Sequence, residues 1–527
     1  MEVHDHARAD LARWREELPD DPWAADELWR PLTHARVDAA RAAELDRRAG
    51  DFGRRVVEVV GPALARAEHR HHLPRLERYD GIGRRVEEVV FDGEYHRAGR
   101  AVWASGLVAD SAVPGRAHEQ ASLLYLLSAE GEAGHACPAT CTIGLARALR
   151  RRADEEVRER FLGPLVVADY DRAERASQFL TEVQGGSDVG ANATRAEPAG
   201  DGVYWISGEK WFCSVADADQ FLLTARVPGG PAGTRGLGCF VMPRHLDGRP
   251  NGFVLRRLKD KLGTRAMASA EIDLDGAVAW PIGPVEEGFR TAVGVVLNTS
   301  RWMTAVGSTG MMRRALVEAE AYARHRRAFG RPIGAFALVA ETLARMRARW
   351  AAAVALCVEV TELEDRIDAG RASDLDVAWH RFCVNAVKYH ASVTATAVVR
   401  DAIEVLGGNG TIEDFSVLPR LYRDAIVYES WEGTHNVLVT QVLHDCARLP
   451  LLDAVRERVG AAVGSGPASW GDELTGLLDR AKRAVDDPEN GPVELRRVLD
   501  ALLPLTGAGL LAEAGCGDEA ALVDEYR

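Results

Sequence analysis

Across residues 28–167, apolar positions recur at three- and four-residue spacing among Arg and Glu, clearest over 39–60 and 120–152, and the pattern predicts helices. Pro31, Pro62, Pro74 and Pro114 punctuate them. Near Ser177 the grammar changes. As far as Gly283, Gly, Asn, Asp and Pro come at short intervals, with brief β-type runs at 203–206, 221–224 and 239–242 between them. Residues 271–275 alternate polar and apolar with period two, and the whole stretch predicts a small antiparallel sheet or barrel. Helical periodicity returns at Gly288 and holds to Arg448. The long, Ala-rich, amphipathic runs 311–327, 339–368 and 376–406 predict the helices of a bundle, the last ended by Gly407-Gly408 as a C-cap. After Pro450 a smaller helical appendage is expected, interrupted by turn-rich stretches at 464–467 and 486–492.

The expected division is an N-terminal extension (1–55), an N-terminal helical domain (56–176), a middle β-domain (177–285), a C-terminal helical bundle (286–446) and a helical C-terminal appendage (447–527). A chain of 527 residues is too long for one compact core, so several domains agree with that reading. Its hydrophobic share of 47% and charged share of 27% are ordinary for a globular protein. The net charge of −14 repels nucleic acid and anionic membranes unless a basic patch intervenes. Eight cysteines scattered through apolar segments predict buried thiols in a reducing compartment. Cys137 and Cys141, with His135 nearby, lack the second pair that a zinc pattern needs, and no metal is expected. The run from His69 to His72 reads as a solvated helix end. No apolar leader opens the chain and no stretch of about 20 apolar residues follows, which predicts a cytoplasmic location. No internal repeat, dinucleotide fingerprint or P-loop is present, so a nucleotide cofactor would need another kind of fold.

Five segments carry candidate chemistry, and each has a plain structural reading beside it. In 180–189, Gly185-Gly186-Ser187 would let backbone N–H groups and a hydroxyl approach an anion, or simply turn the chain into a strand. In 207–214, Trp211 and Phe212 would wall a planar ring, or be split between the faces of a strand. In 325–330, Arg326 would pair with a pyrophosphate, or complement a helix dipole. The fourth segment is 404–410. The fifth, 431–436, sets Glu432 between Trp431 and Gly433-Thr434, where partial desolvation would raise a carboxyl toward the range of a general base; a surface glutamate is the alternative.

Taken together and in this order, the segments resemble the acyl-CoA dehydrogenase superfamily over residues 60–446. Thr181 to Asp188 match its Thr-Glu-x-x-x-Gly-Ser-Asp stretch, Arg326 and Phe329 its signature before Phe-Gly, Leu406 to Gly410 its Leu-Gly-Gly-Asn-Gly, and Trp431 to Thr434 its base motif. The AidB-like branch fits best, on Thr-Glu-Val-Gln-Gly-Gly-Ser-Asp-Val, Lys-Trp-Phe-Cys-Ser, residues 257–265 and 419–423, and Trp-Glu-Gly. The implied fold is α with a central β-domain: an N-terminal helical domain, a small β-barrel or sheet domain, a C-terminal four-helix bundle, and here an extra helical appendage.

The resemblance implies FAD as cofactor. Leu180, Thr181, Gly186 and Ser187 would bind its isoalloxazine and pyrophosphate side, and Phe212 and Ser214 would line the flavin's other edge. Arg326 and Phe329, joined by Glu404 and Gly408, would reach FAD bound mainly to a neighbouring subunit, in a dimer that the family usually doubles to a tetramer. Thr434 and Asn436 would also face the cofactor. Glu432 falls at the base that takes the α-proton of an acyl thioester as hydride leaves the β-carbon for flavin N5, with Glu429 its rival three residues earlier. Arg301 matches an arginine that supports the active site. Two departures stand out: Ala337 occupies the place of an adenine-side glutamine, and the stretch from Glu404 to Glu432 is one residue longer than the common pattern.

The leading expectation is α,β-dehydrogenation of an acyl thioester, bound to CoA or a carrier protein, with an electron-transfer partner or oxygen as acceptor. A flavin-dependent oxidase or monooxygenase acting on a small metabolite is the alternative. A non-enzymatic, DNA-associated role would need a basic tail. From Ala447 onward there are nine Lys or Arg against fifteen Asp or Glu, which disfavours phosphate contact.

Overall fold

The computed structural model describes residues 2–527, which divide into two compact units. One unit comprises residues 58–113 and 132–300; the other comprises the chain up to Val57, residues 114–131, and everything from Arg301 onward.

The first unit is built on a seven-stranded sheet. Its opening hairpin, β1 (Arg75–Tyr79) and β2 (Arg85–Val90), pairs apart from that sheet and interrupts the stretch expected to be wholly helical. The sheet strands are β3 (Ala176–Phe179), β4 (Arg195–Gly200), β5 (Val203–Ser214), β6 (Gln220–Arg226), β7 (Leu237–Pro243), then, after the two-residue pair β8 (His245–Leu246) and β9 (Arg249–Pro250), β10 (Phe253–Leu258) and β11 (Ser269–Pro281). β11 pairs with β5, β5 with β4, β4 with β6, β6 with β7, and β7 again with β11, so five strands close a ring. β10 extends from β11 and β3 from β6. The sheet is not purely antiparallel as expected: β3 runs parallel to β6, and β4 meets β6 in parallel at one residue pair, Arg195 and Arg226.

Alternation along β6 shows why the barrel forms. Phe221, Leu223 and Ala225 enter one core with Ile206, Phe240, Met242, Leu255 and Ile272. Leu222 points the other way, into a second core with Val241 and Trp280, sealed by Leu145 and Leu149 of the helix Ala136–Arg152 and by Phe161 of the helix Glu155–Leu165. A strand buried on both faces reads as a continuous apolar run. Gly288 closes this packing from the chain's exit: a Cβ there would fall 2.3 Å from the backbone nitrogen of Cys239. Gly288→Ala is therefore expected to cost about 1–3 kcal/mol by overpacking, read as a lowered midpoint of thermal unfolding.

In the other unit the long helices are Asn298–His325 (which starts three residues before the unit does), Ala337–Asp368 and Asp374–Leu406. They are followed by Leu418–Ser430 and His435–Arg448. The helix Ala117–Leu127 belongs with them and is buried on every side. Its polar residues are partnered: His118 meets Glu362 at 2.9 Å, and Glu119 accepts from Arg41 at 2.7 Å. A helix apolar or satisfied all round is a core helix. The appendage is helical, Leu451–Val463, Ala468–Val485, Gly491–Glu513 and Gly517–Tyr526, and Arg458 anchors it to buried Glu359 at 2.6 Å.

Candidate functional site

In the barrel unit the chain leaves β3 at Leu180 and makes a tight excursion to Ser187. The Thr181 carbonyl accepts from the Trp211 amide of β5 at 2.9 Å. Glu182 turns inward and is buried with Lys210, whose Nζ donates to it at 2.7 Å and to the Thr224 carbonyl at 2.8 Å. The Ala193 and Thr194 amides donate to the same carboxylate. Burial alone would raise this carboxyl, but Lys210 and these hydrogen bonds hold it below its ordinary range. With Glu182 tethered, Gly186 and Ser187 stay exposed above it. Phe212 is 52% exposed on β5, and the Lys259 ammonium lies 3.6 Å from the Trp211 ring centroid and 4.6 Å from that of Phe212. Ser214 faces Ser269 across the β5–β11 ladder, hydroxyl to hydroxyl at 3.2 Å.

In the bundle unit the helix Asn298–His325 runs into a two-residue hairpin, β12 (Arg327–Ala328) and β13 (Arg331–Pro332). Phe329 stands at its tip with φ +49°, 96% exposed; Arg326 and Leu338 are exposed nearby in the chain. Ala337, where the resemblance lacks its glutamine, is exposed as the first residue of its helix. Glu404 lies on the surface in the last turn of Asp374–Leu406; Gly407 ends that helix at φ +63°, and Gly408 is exposed.

Glu432 occupies the short link between Leu418–Ser430 and His435–Arg448. It is half-buried, with the left-handed φ of +58°, and Gly433 follows at +105°. A non-glycine residue in that region is strained and persists only where its surroundings hold it. Arg301 Nε donates to the Glu432 carbonyl at 2.9 Å, and its Nη1 donates to Asn385 Oδ1 at 2.7 Å. The Lys388 ammonium donates to the carbonyls of Glu429 and Gly433, at 3.2 and 3.0 Å. Burial raises the Glu432 carboxyl above its ordinary range, opposed by the charges of Arg301 and Lys388. Burial also pushes Arg301 down to about 10. Glu429, by contrast, has helical backbone and sits 3.7 Å from His435 Nε2. Thr434 is the N-cap of His435–Arg448, exposed, with no capping bond from its hydroxyl. Asn436 accepts from Arg496 of the appendage.

The sequence-predicted residues thus fall into two sets. Leu180, Thr181, Gly186, Ser187, Phe212 and Ser214 share the barrel, whereas Arg301, Arg326, Phe329, Glu404, Gly408, Glu432, Thr434 and Asn436 share the bundle unit. Lys210, Asn385 and Lys388 were missed, although an ionisable residue inside a strongly apolar run, as at Lys388, was a visible signal. Each set carries groups of the kind a flavin dinucleotide needs: the barrel unit offers an exposed hydroxyl and glycine backbone at Gly186-Ser187 and a half-exposed ring at Phe212, and the bundle unit offers the exposed Arg326 fork and the exposed Phe329.

Three family models match the chain. The acyl-CoA dehydrogenase C-terminal domain matches residues 286–445, its middle domain 177–277, and the AidB N-terminal domain 19–172. AidB of Escherichia coli (strain K12) is 35% identical over 383 residues, covering 70% of this chain and 68% of that protein. Acyl-CoA dehydrogenase family member 11 of Caenorhabditis elegans is 34% identical over 439 residues, covering 80% and 69%. The crystal structure of C. elegans ACDH-11 in complex with C11-CoA superposes with a TM-score of 0.89 at 28% identity, covering 97% of this chain and 91% of that one. The chain belongs to the acyl-CoA dehydrogenase family. Its N-terminal region places it in the AidB-like branch, as a flavoenzyme whose cofactor is FAD. Among the described residues no helix is long and apolar enough to cross a membrane.

Proposed function

We propose that the protein removes the α and β hydrogens of an acyl-CoA, with Glu432 as the base. The observation that carries this reading is Glu432 itself, a half-buried carboxylate in a strained link whose carbonyl is held by Arg301 and whose pKa is raised by burial. A carboxylate so placed takes a proton from carbon more readily than a solvated one. FAD, when bound, supplies the hydride acceptor. In this reading Glu432 takes the α-proton and later releases it, while Arg301 keeps the link in register. Thr181, Ser187 and Ser214 orient the cofactor by hydroxyl and backbone donors, with Leu180, Gly186 and Phe212 against its ring system. Thr434 leaves its hydroxyl available at the helix start, and Asn436 acts from the same turn.

Arg326, Phe329, Glu404 and Gly408 reach FAD held by a second subunit, in a dimer or tetramer. A phenylalanine almost wholly in solvent supports that assignment, because an exposed apolar tip of this kind marks an interface or ligand contact. The C11-CoA bound by the C. elegans relative supports a CoA thioester with a medium-length acyl chain. An electron-transfer partner then reoxidises the enzyme.

The test is a panel of acyl-CoA thioesters mixed anaerobically with the purified holoprotein. At least one is expected to bleach the flavin absorbance, with reoxidation by an artificial electron carrier faster than by oxygen. A panel with no bleaching removes the dehydrogenase reading; rapid reoxidation by oxygen alone favours an oxidase.

A further inference from the structure

The link carrying Glu432 is held from two helices. Arg301 reaches it from Asn298–His325, and Lys388 from Asp374–Leu406, where Asn385 lies one helical turn before Lys388 on the same face. Lys388 is fully buried, and both of its hydrogen bonds go to backbone carbonyls. Burying an ammonium with only carbonyls as partners is costly. Burial pushes its pKa down to about 7. Those carbonyls belong to Glu429, in the final turn of Leu418–Ser430, and to Gly433, immediately before the N-cap Thr434. The first is one of the orphan acceptors at a helix end. With Arg301 on the Glu432 carbonyl, cationic donors hold positions 429, 432 and 433.

We propose that Lys388 is a positioning residue for the proton-accepting carboxylate: its ammonium clamps the link at the carbonyls of residues 429 and 433, fixing Glu432 in its left-handed conformation. Its positive charge also favours the ionised form of that carboxylate. This rests on Glu432 being the base. The groups facing Lys388 are Glu432 in the link, Arg301 on one flanking helix, Glu429 at the end of another, and His435 at the head of the next. Arg301 works in the same direction on Glu432, so the two cations share the task.

Lys388→Met keeps the stem and removes the donors and the charge. Two readouts are taken on FAD-loaded protein. Without substrate, amide hydrogen exchange across 429–434 is expected to accelerate at least about tenfold, with the appendage helices unchanged. With a thioester that bleaches the native flavin, the rate of reduction should fall about 100-fold, the scale of a misplacement near 1 Å. Its acidic limb should move upward by about one pH unit, because loss of a nearby cation makes Glu432 hold its proton more tightly. Lys388→Gln, with amide donors and no charge, should recover part of the exchange protection but not the pH shift, and it carries the test if the methionine variant does not fold. Unchanged exchange, or native rate and pH dependence in either variant, overturns the proposal. If no thioester bleaches the native flavin, the dehydrogenase reading has failed, and the exchange measurement still decides the clamp.

Discussion

Glu432→Gln is expected to yield a folded yellow protein, with FAD bound as in the native enzyme, whose flavin is reduced by acyl-CoA about 10²–10⁴-fold more slowly. The substitution keeps the shape of the side chain and removes only the oxygen that accepts a proton. The contact made by Arg301 Nε is to the backbone carbonyl, so the link should stay in place. The pH dependence has a defined sign. Burial raises the Glu432 carboxyl above 4.5, so in native enzyme reduction should increase with pH through that raised value, as the inactive protonated acid ionises. In the variant this limb should vanish. Anaerobic stopped-flow absorbance over a pH series measures both effects. Native rates in the variant would move the base elsewhere, and Glu429, the nearest carboxylate along the chain, would be the first replacement to try.

Lys210→Met should have the largest effect on stability. Lys210 and Glu182 are both buried, and removal of the ammonium leaves a carboxylate with only amide donors inside the barrel unit. Breaking a buried pair from one side typically costs about 3–5 kcal/mol. Glu182 lies within the excursion that exposes Gly186 and Ser187, so cofactor retention should weaken as well. The pair also sets an acid limit. The Glu182 carboxyl is held below its ordinary 4.5 in the fold, so its contribution is present above that value and is lost as pH falls through the depressed folded pKa. Thermal unfolding of holoprotein and FAD retention through desalting test the prediction. A double Lys210→Met, Glu182→Met variant should recover part of the loss, since two apolar side chains leave no stranded charge. An unchanged midpoint in the single variant would contradict the account.

Much of this was legible from local pattern. The short runs at 203–206, 221–224, 239–242 and 271–275 all lie within strands, and the Gly407 cap falls at the end of its helix. Pairing was less accessible. The parallel contact of β3 with β6 joins segments more than forty residues apart, with no local signal. The β1–β2 hairpin carries no strand signature, because Arg and Glu dominate it and Val89 is its one buried apolar residue. Ala117–Leu127 is equally well placed by its pattern in either unit, and only packing assigns it to the bundle. At the candidate site, Glu432 stood out by motif. Lys388 and Lys210 did not, because the sequence around a lysine does not name its partner, and those partners lie 41 and 28 residues away.

The barrel is a ring with a narrow join. Most of its ladders run for several residues, but β4 and β6 meet only at Arg195 and Arg226. The guanidinium of Arg226 reinforces that join, donating to the carbonyls of Asn192 and Gly190 at 3.1 and 2.8 Å, while the Arg226 amide donates to Thr194 at 2.7 Å. Asn192 in turn donates to the Leu180 carbonyl, and the Thr194 amide to Glu182. The shortest contact in the ring is therefore wired to the 180–187 excursion, where the flavin ligands are proposed. If that excursion holds FAD as proposed, loosening of this seam would slacken the cofactor's hold before it disturbed the barrel core.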